Sequence, residues 1–129
     1  MNKKVLGLLV TGLVCFATLS EVAARGYEIH YWTSITEERY ISTYSSNWDY
    51  LRIHEDVDWL YVQIESGTWL SIGVKVYDPE YTLIYECQSW SFGNHDIHKW
   101  IRIRESGIYW ISVYNCGLGT TYELTLKGD

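Results

Sequence analysis

KWIRIRESGIYWISVYNCGLGTTYELTLK, residues 99–127, contains three runs in which apolar and polar side chains alternate. The runs cover residues 101–104, 109–114 and 122–126, and in each the apolar side chains fall two positions apart. Because successive side chains of a β-strand point to opposite faces, each run predicts a strand that is buried on one side. Glu105-Ser106-Gly107 predicts a tight turn in which Gly107 can take a positive φ angle.

Further strands are predicted upstream of this segment from the same alternation. They cover residues 39–45, 48–54, 59–64, 70–76 and 83–87, and residues 25–32 predict a first edge strand. Residues 34–38 predict one short helical turn instead, and Gly73 predicts a bulge or a close approach. About eight strands with frequent turns and no long helix predict an all-β antiparallel sandwich or barrel.

The first 24 residues have the pattern of a signal peptide. Lys3 and Lys4 precede an apolar run over residues 5–19, and Val22-Ala23-Ala24 offers a small-residue cleavage site before Arg25. The alternative is a membrane anchor, for which the run is short, since a spanning helix needs about 20 apolar residues. We therefore expect cleavage after Ala24, a single domain over residues 25–129, and a secreted or periplasmic protein with no remaining membrane span.

Charge and cysteine content narrow the function classes further. The chain has a formal net charge of −6, which argues against a nucleic-acid partner and against binding to anionic membranes. Cys87 and Cys116 remain after cleavage, and a pair of cysteines in an exported chain predicts a disulfide bond. The alternative for this pair is two buried free thiols.

Several short motifs occur in a characteristic order over residues 50–127. They are Asp56-Val57-Asp58-Trp59 before a strand, Glu65-Ser66-Gly67 before an apolar strand, Val76-Tyr77-Asp78-Pro79, and the closing segments 106–114 and 122–126. In this order the chain resembles the bacterial pre-peptidase C-terminal domain, a secreted β-sandwich of the jelly-roll type. The resemblance implies a non-catalytic role, because such domains usually accompany secreted proteases and other hydrolases. Related domains bind collagen or carbohydrate, some with calcium held by acidic residues near the start of the domain.

Seven tryptophans and twelve tyrosines make aromatic side chains the first candidates for a binding surface. If the turn at residues 105–107 closes a simple hairpin, Arg102 lies opposite Trp110, and Trp100 and Tyr114 share their outward face. Exposed rings interleaved with polar groups bind sugars or proteins, since rings stack on flat apolar faces at low entropic cost. The alternatives are ordinary cross-strand packing, and a turn that crosses between the two sheets and buries these rings.

The segment 88–98 has no clear alternation and carries further candidates. Trp90 and Phe92 are second candidates for ligand contact, with anchoring of their own loop as the alternative. His95 and His98 could ligate zinc only with a third protein ligand, and no spacing links them to the other two histidines. We therefore expect a polar surface loop and no metal site here.

Carboxylates and nucleophiles give weaker signals. Asp56 and Asp58, with Glu37 and Glu38 upstream, could hold Ca²⁺ through their oxygens, although an Asp-x-Asp pair is common in solvated turns. We expect no cofactor beyond such a calcium ion. The sequence has no Gly-x-Ser-x-Gly motif and no glycine-rich phosphate loop, which favours a protein that is not an enzyme. A small hydrolase using paired carboxylates or the histidines of segment 95–98 is the least favoured alternative.

Together these observations predict a secreted, non-catalytic binding or accessory module. It would contact an extracellular polysaccharide or protein through Trp100, Arg102, Trp110 and Tyr114. The alternative is a structural or protein-interaction component of the cell envelope, whose rings are buried and whose partner pairs with an edge strand.

Overall fold

The computed structural model describes residues 24–66, 72–88 and 96–129, and this part of the chain contains nine strands. It contains no helix that could cross a lipid bilayer. The strands are β1 (Gly26–Ile29), β2 (Ser34–Ile41), β3 (Ser46–Ile53), β4 (Trp59–Glu65), β5 (Ile72–Tyr77), β6 (Leu83–Gln88), β7 (Ile97–Arg102), β8 (Gly107–Asn115) and β9 (Thr120–Gly128).

The strands form two sheets that pack face to face. One sheet has five strands in the order β1-β3-β8-β5-β6, and the other has four in the order β2-β9-β4-β7. Neighbouring strands are antiparallel except β1 and β3, which run parallel. The predicted all-β antiparallel sandwich is therefore confirmed.

The core lies between the sheets, and the inward positions of the alternating runs form it. Leu60, Val62 and Ile64 of β4 and Ile111 and Val113 of β8 are at most 1% exposed. Burial of apolar surface stabilises the fold by about 25 cal/mol per Å², so these positions dominate its free energy. A register shift of one residue would move them to the solvent side, and the strand pairing is therefore firmly specified.

One strand and two glycines test the local predictions. Residues 34–38, predicted as a helical turn, belong to β2, because pairing with β9 buries Ile41 and packs Ile35 against the core. Tertiary pairing thus overrides a local capping preference. Gly107 has the predicted positive φ, at +141°. At Gly73 any Cβ would meet the ring of Tyr114, which confirms the predicted close approach.

The segment between β7 and β8 crosses from one sheet to the other, as in the alternative considered for residues 105–107, and does not close a hairpin. β7 pairs with β4, which places Arg102 opposite Trp59. β8 pairs with β3, which places Trp110 opposite Tyr50. A hairpin and a crossing bury the same alternating positions, so alternation alone could not distinguish them.

Two hydrogen bonds hold the crossing segment in place. The backbone N–H of Ile103 donates to the carbonyl of Asp58 over 2.8 Å, which extends the contact between β7 and the start of β4. The hydroxyl of Tyr109 donates to the carbonyl of Glu105 over 2.6 Å. The first is a tertiary contact, whereas the second is local and ties the turn directly to a buried core side chain.

The predicted disulfide bond is not formed, and Cys87 and Cys116 are free thiols. β5 separates β6, which carries Cys87, from β8, which ends just before Cys116. Cys87 packs against the core, whereas the next residue, Gln88, points outward and brings its Nε2 atom to 3.5 Å from the Cys116 sulfur. The two thiols thus lie on opposite sides of the sheet, which sequence spacing does not reveal.

Candidate functional site

The predicted ligand-binding residues lie on two opposite faces of the sandwich. Trp100 and Arg102 point outward from β7 on the four-stranded sheet. Trp110 and Tyr114 belong to the outer face of β8 in the five-stranded sheet. A small ligand cannot touch both pairs, so each pair must be considered with its own neighbours.

The other candidates of the long segment fall outside the described residues. Trp90, Phe92 and His95 all lie between residues 89 and 95. His98 is described, and it is an exposed side chain on β7 opposite Gln63.

Three rings and two cations cover one end of the outer face of the four-stranded sheet. We call this the basic-aromatic surface, and the strand register assembles it: Tyr61 lies between Trp100 and Lys127, and Trp59 lies opposite Arg102. The ring centroids of Tyr61 and Trp100 are 4.9 Å apart. The Arg102 guanidinium lies 5.5 Å from the Trp59 ring centre, and the Lys127 Nζ atom lies 5.4 Å from that of Tyr61, both within cation–π range.

The cations of this surface have no carboxylate partner among the described residues. Four of the eight lysines and arginines described form salt bridges with Asp or Glu: Arg25, Arg39, Arg52 and Lys75. The remaining four are Lys99, Arg102, Arg104 and Lys127, and all of them lie on β7, directly after it, or two strands away on β9. Although the protein is acidic overall, the unpaired cations of its described part all lie on or near β7 and β9.

A cleft of about 400 Å³ continues this surface around the free edge of β7. Trp100 and Arg102 belong to both, and Lys99 and Arg104 line the cleft beside them. Asp78 and Glu105 also line it, so the cleft carries both basic and acidic side chains. Its floor comes from the edge of the second sheet and includes Ile84, Tyr85 and Tyr109.

The opposite end of the same sheet face is acidic. Glu38, Glu123 and Glu65 occupy one row across β2, β9 and β4, and the strand register continues this row to Asp96 beside β7. Glu123 and Lys127 are four positions apart on β9, which corresponds to about 13 Å along a strand. Charge on this face is thus sorted along the strand direction, with carboxylates at one end and unpaired cations at the other.

The outer face of the five-stranded sheet carries a second group of rings. Trp48, Tyr77 and Tyr81 stack with ring-centroid separations of 4.7–6.3 Å, and the Tyr50 ring lies 5.8 Å from that of Trp110. Burial raises the pKa of both Tyr77 and Tyr81. The single cation of β5 on this face is Lys75, which forms a salt bridge with Glu86. This face is therefore aromatic and close to neutral.

Tyr81 holds a backbone conformation that is rare for a bulky residue, with φ at +64°. Such a conformation costs on the order of 1 kcal/mol and needs support from its surroundings. The Asp78 carboxylate supplies it by accepting hydrogen bonds from the backbone N–H groups of Glu80 and Thr82. The exposed ring is thereby directed onto Tyr77 and Trp48.

A stack of three rings at one edge of the sandwich was not foreseen from sequence. His30 lies between Trp32 and His54, with centroid separations of 4.4 and 3.8 Å and nearly parallel planes. His54 Nε2 is 2.6 Å from a Glu28 carboxylate oxygen, and this hydrogen bond lowers the pKa of Glu28. The two histidines are 24 positions apart in the sequence. They come together only because β1 and β3 pair in parallel, so the sequence alone does not predict their contact.

The structure does not gather the carboxylates predicted to hold calcium. Asp56 lies 3.3 Å from His30, whereas Glu37 accepts hydrogen bonds from Arg25 and Tyr27. Glu38 points outward from β2 in the acidic row, far along the strand from the turn that carries Asp56. A different trio, Asp78, Glu80 and Glu105, brings its oxygens within 4.8 Å of one another. The hydrogen bond with Glu80 raises the pKa of Glu105.

Comparison with known proteins identifies relatives of the fold. No protein-family model and no curated protein matches the chain. The pre-peptidase C-terminal domain of a Bacillus anthracis collagenase superposes with a TM-score of 0.56 and 16% identity, covering 81% of this chain and 97% of that domain. CorA of Methylomicrobium album BG8, a surface-associated copper-binding protein, superposes with a TM-score of 0.64 and 8% identity, covering 83% and 99%.

A third similar structure is PliG of Aeromonas hydrophila, a periplasmic inhibitor of g-type lysozyme. It superposes with a TM-score of 0.51 and 14% identity over 83% of this chain and 100% of that protein. The resemblance to the pre-peptidase C-terminal domain is thus confirmed at the level of fold. At these identities the similarity establishes the β-sandwich, and the function has to be argued from the surface of this chain.

Proposed function

We propose that this protein is a secreted or periplasmic, non-catalytic binding module that contacts an extracellular polysaccharide or protein through exposed aromatic side chains. One observation carries the proposal: the rings of the basic-aromatic surface are held at the solvent side, with Trp59 and Trp100 38% and 45% exposed. Large rings so exposed in a neighbouring group are uncommon on a surface that has no partner.

The arrangement of these rings supports a binding role over a packing role. Tyr61 and Trp100 contact each other at 4.9 Å across neighbouring strands, so the surface is preorganised and loses little entropy when it is covered. The side chains needed for packing lie on the other side of the same strands, where Leu60 and Ile101 are buried. Removal of Trp100 should therefore affect binding far more than folding.

A protein partner is the second candidate, and a separate observation favours it. Leu83 and Ile84 of the edge strand β6 are 44% and 38% exposed, and the exposed ring of Tyr81 lies just before them. An apolar edge strand with free backbone groups offers pairing sites to an extended segment of another protein. Such a partner would bind beside the five-stranded sheet, away from Lys127.

The proposal is tested by retention of the purified protein on insoluble polysaccharides and on collagen. The wild type is compared with Trp100→Ala and with Trp110→Ala, whose rings lie on opposite faces. Loss of retention in Trp100→Ala alone, with unchanged circular dichroism, is the expected result. Loss in Trp110→Ala alone would move the site to the five-stranded sheet. A folded protein that is retained by no polymer would contradict polymer binding and leave the edge of β6 as the site to examine.

A further inference from the structure

The ligand of the basic-aromatic surface can be narrowed by its charge, given the proposed binding role on which this inference rests. We propose that the surface, with the basic side chains of the adjoining cleft, binds an anionic polysaccharide. The recognised chemistry is a sugar ring that carries a carboxylate or sulfate group. The ring stacks on Trp100, and the anionic group pairs with Arg102 or Lys127.

The first argument is the distribution of unpaired cations. Lys99, Arg102, Arg104 and Lys127 have no carboxylate within salt-bridge distance in the described part of the chain, whereas the other four described cations do. A protein with a net charge of −6 has many carboxylates with which to neutralise them. Their isolation leaves a local positive potential that an anionic ligand would complement.

The second argument is the alternation of charge and ring on this surface. The Arg102 guanidinium lies 5.5 Å from the centre of the Trp59 ring, and the Lys127 Nζ atom lies 5.4 Å from the centre of the Tyr61 ring. A uronate or sulfated sugar presents an apolar ring face and an anionic substituent at a comparable separation. Because these cations lie over the rings of Trp59 and Tyr61, a sugar residue would stack on Trp100 while its anionic group reaches Arg102 or Lys127.

The third argument concerns where the polymer cannot lie. The row of Glu38, Glu123 and Glu65 occupies the other end of the face, about 13 Å from Lys127 along the strand. Asp58 and Asp129 flank Trp59 at the strand end without reaching salt-bridge distance from Arg102. An anionic chain is thus confined to the row of Lys127, Tyr61 and Trp100 and to the basic side chains that line the cleft.

A nucleic acid is a less suitable polyanion for this surface. It carries one negative charge for every nucleotide, so the Glu38 row and the overall charge of the protein repel it strongly. A polysaccharide that carries a charge on only some of its sugar residues meets less repulsion and needs contact with only a few cations. Single-stranded nucleic acid is nevertheless one of the outcomes that the test distinguishes.

The test measures affinity for soluble polygalacturonate, dextran sulfate, neutral xylan and single-stranded poly-dT by calorimetry. The decisive variant is Arg102→Gln/Lys127→Gln, and its matched control is Arg52→Gln/Lys75→Gln. Both remove two positive charges, and Lys75 lies 5.5 Å from the ring of Tyr114 just as Lys127 lies 5.4 Å from that of Tyr61. The control charges, however, are already paired with Glu28 and Glu86.

We expect binding to polygalacturonate or dextran sulfate, with the preferred polymer showing whether carboxylate or sulfate is recognised. Affinity should fall by about tenfold in Arg102→Gln/Lys127→Gln, and much less in the control pair. Affinity of the wild type should also decrease as salt is added. Trp100→Ala should abolish binding, and Trp100→Phe should retain part of it.

Four results would overturn this inference. Binding to xylan but to neither anionic polymer would leave the proposed aromatic binding intact and remove the charge argument. Equal loss of affinity in the control pair would show that net charge, and not this surface, governs binding. Binding of poly-dT as tight as that of the anionic sugars would point to a nucleic acid. Binding to none of the four polymers would count against the proposed polysaccharide function as well.

A second inference concerns the start of the mature chain and rests on a different observation. Asp49 is 1% exposed, and its carboxylate already pairs with Arg39 at 2.7 Å. Its other oxygen accepts a hydrogen bond from the backbone nitrogen of Arg25 over 2.9 Å. We infer that cleavage after Ala24, as the sequence predicts, turns this nitrogen into an ammonium group that forms an ion pair with Asp49.

This second inference is tested on the exported, processed protein. Mass spectrometry should show Arg25 as the first residue, and a different first residue would overturn the inference. Acetylation of the α-amino group should reduce the folding equilibrium constant by about tenfold, and it should have no further effect in Asp49→Asn. If Asp49→Asn does not fold, the reactivity of the α-amino group decides. A free α-amino group is acylated faster than lysine near neutral pH, because its ordinary pKa is lower. Here it should react no faster than the exposed Lys127, and a clearly faster reaction would overturn the inference.

Discussion

Arg39 and Asp49 form a salt bridge inside the sandwich, with side chains 4% and 1% exposed. The pair crosses the core, since Arg39 lies on β2 of one sheet and Asp49 on β3 of the other. Burying two charges has a large desolvation cost, which their mutual attraction and hydrogen bonds offset. Burial alone would lower the pKa of Arg39, and the hydrogen bond and charge of Asp49 more than reverse this effect.

Removal of one member of this pair should destabilise the protein strongly. We expect Asp49→Leu to lower the free energy of unfolding by about 3–5 kcal/mol, because Arg39 is left as an uncompensated buried charge. The double variant Arg39→Met/Asp49→Leu should recover most of the loss, as measured by urea denaturation. Arg52→Met, which breaks an exposed pair with Glu28, is the control and should cost at most about 1 kcal/mol. A double variant no more stable than Asp49→Leu would contradict this account.

Tyr27 makes the stability of the protein fall as the pH rises in the alkaline range. Burial, together with the hydrogen bond to Glu37, raises the pKa of Tyr27 from 10.0 to about 12. Above pH 10 the unfolded chain releases this proton while the folded protein keeps it. The stability that the group contributes is therefore complete below pH 10 and is lost as the pH rises through about 12.

The matching experiment follows urea denaturation across this pH range. Tyr27→Phe should show a shallower loss of stability between pH 10 and 12 than the wild type. Some loss should remain, because burial also raises the pKa of Tyr85 to about 12. Equal slopes in the wild type and Tyr27→Phe would show that Tyr27 titrates normally.

At the scale of strands, the crossing of the chain between β7 and β8 decides which rings are neighbours. The crossing places Arg102 beside Trp59 and leaves Trp110 on the other sheet. Two cysteines placed at partner positions of an antiparallel pair have Cα atoms within the range that a disulfide bond requires.

This arrangement predicts the outcome of engineered cross-links. In a background with Cys87→Ser and Cys116→Ser, the pair Trp59→Cys/Arg102→Cys should oxidise to a disulfide bond. The pair Arg102→Cys/Trp110→Cys should stay reduced, as judged by thiol titration of the folded protein. The opposite pattern would show a hairpin in place of the crossing.

The row of carboxylates on the four-stranded sheet is a local source of instability. Glu123 of β9 lies between Glu38 of β2 and Glu65 of β4, and like charges directly opposite each other on paired strands repel. We expect Glu123→Gln to raise the free energy of unfolding by about 0.5 kcal/mol at low salt. Glu86→Gln, which loses its contact with Lys75, is the control and should not stabilise. A gain in Glu123→Gln that is unchanged at high salt would contradict an electrostatic origin.

At the scale of the whole molecule, the two outer faces of the sandwich and the layer between them differ in their side chains. One outer face carries rings with unpaired cations, the other carries rings with little net charge, and the layer between them holds the core. The two cysteines follow the same division, since Cys87 packs against the core and Cys116 is exposed.

This division predicts unequal reactivity of the thiols. In the native protein Cys116 should be alkylated rapidly, and Cys87 should react much more slowly until denaturant is added. Peptide mapping by mass spectrometry measures the two sites separately. Equal protection of both from alkylation, lost on treatment with a reducing agent, would instead reveal a disulfide bond in the purified protein.

Local patterns were sufficient to predict the strands, the turn glycine and the class of fold. Alternation in residues 101–126 depends only on which side chains avoid water, and each strand must satisfy it wherever it pairs. Gly107 could be predicted because only a residue without a Cβ takes its φ angle easily. The outward position of Trp100 followed from the same alternation.

The partners of these residues were decided by tertiary structure alone. A strand after a turn can pair with its predecessor or cross to the facing sheet, and both choices bury the same side chains. That choice separated Arg102 from Trp110 and joined it to Trp59. The meeting of His30 with His54 and the separation of Cys87 from Cys116 likewise depend on which strands are neighbours. Sequence thus determined what each strand exposes, whereas the pairing of strands determined which exposed groups form one surface.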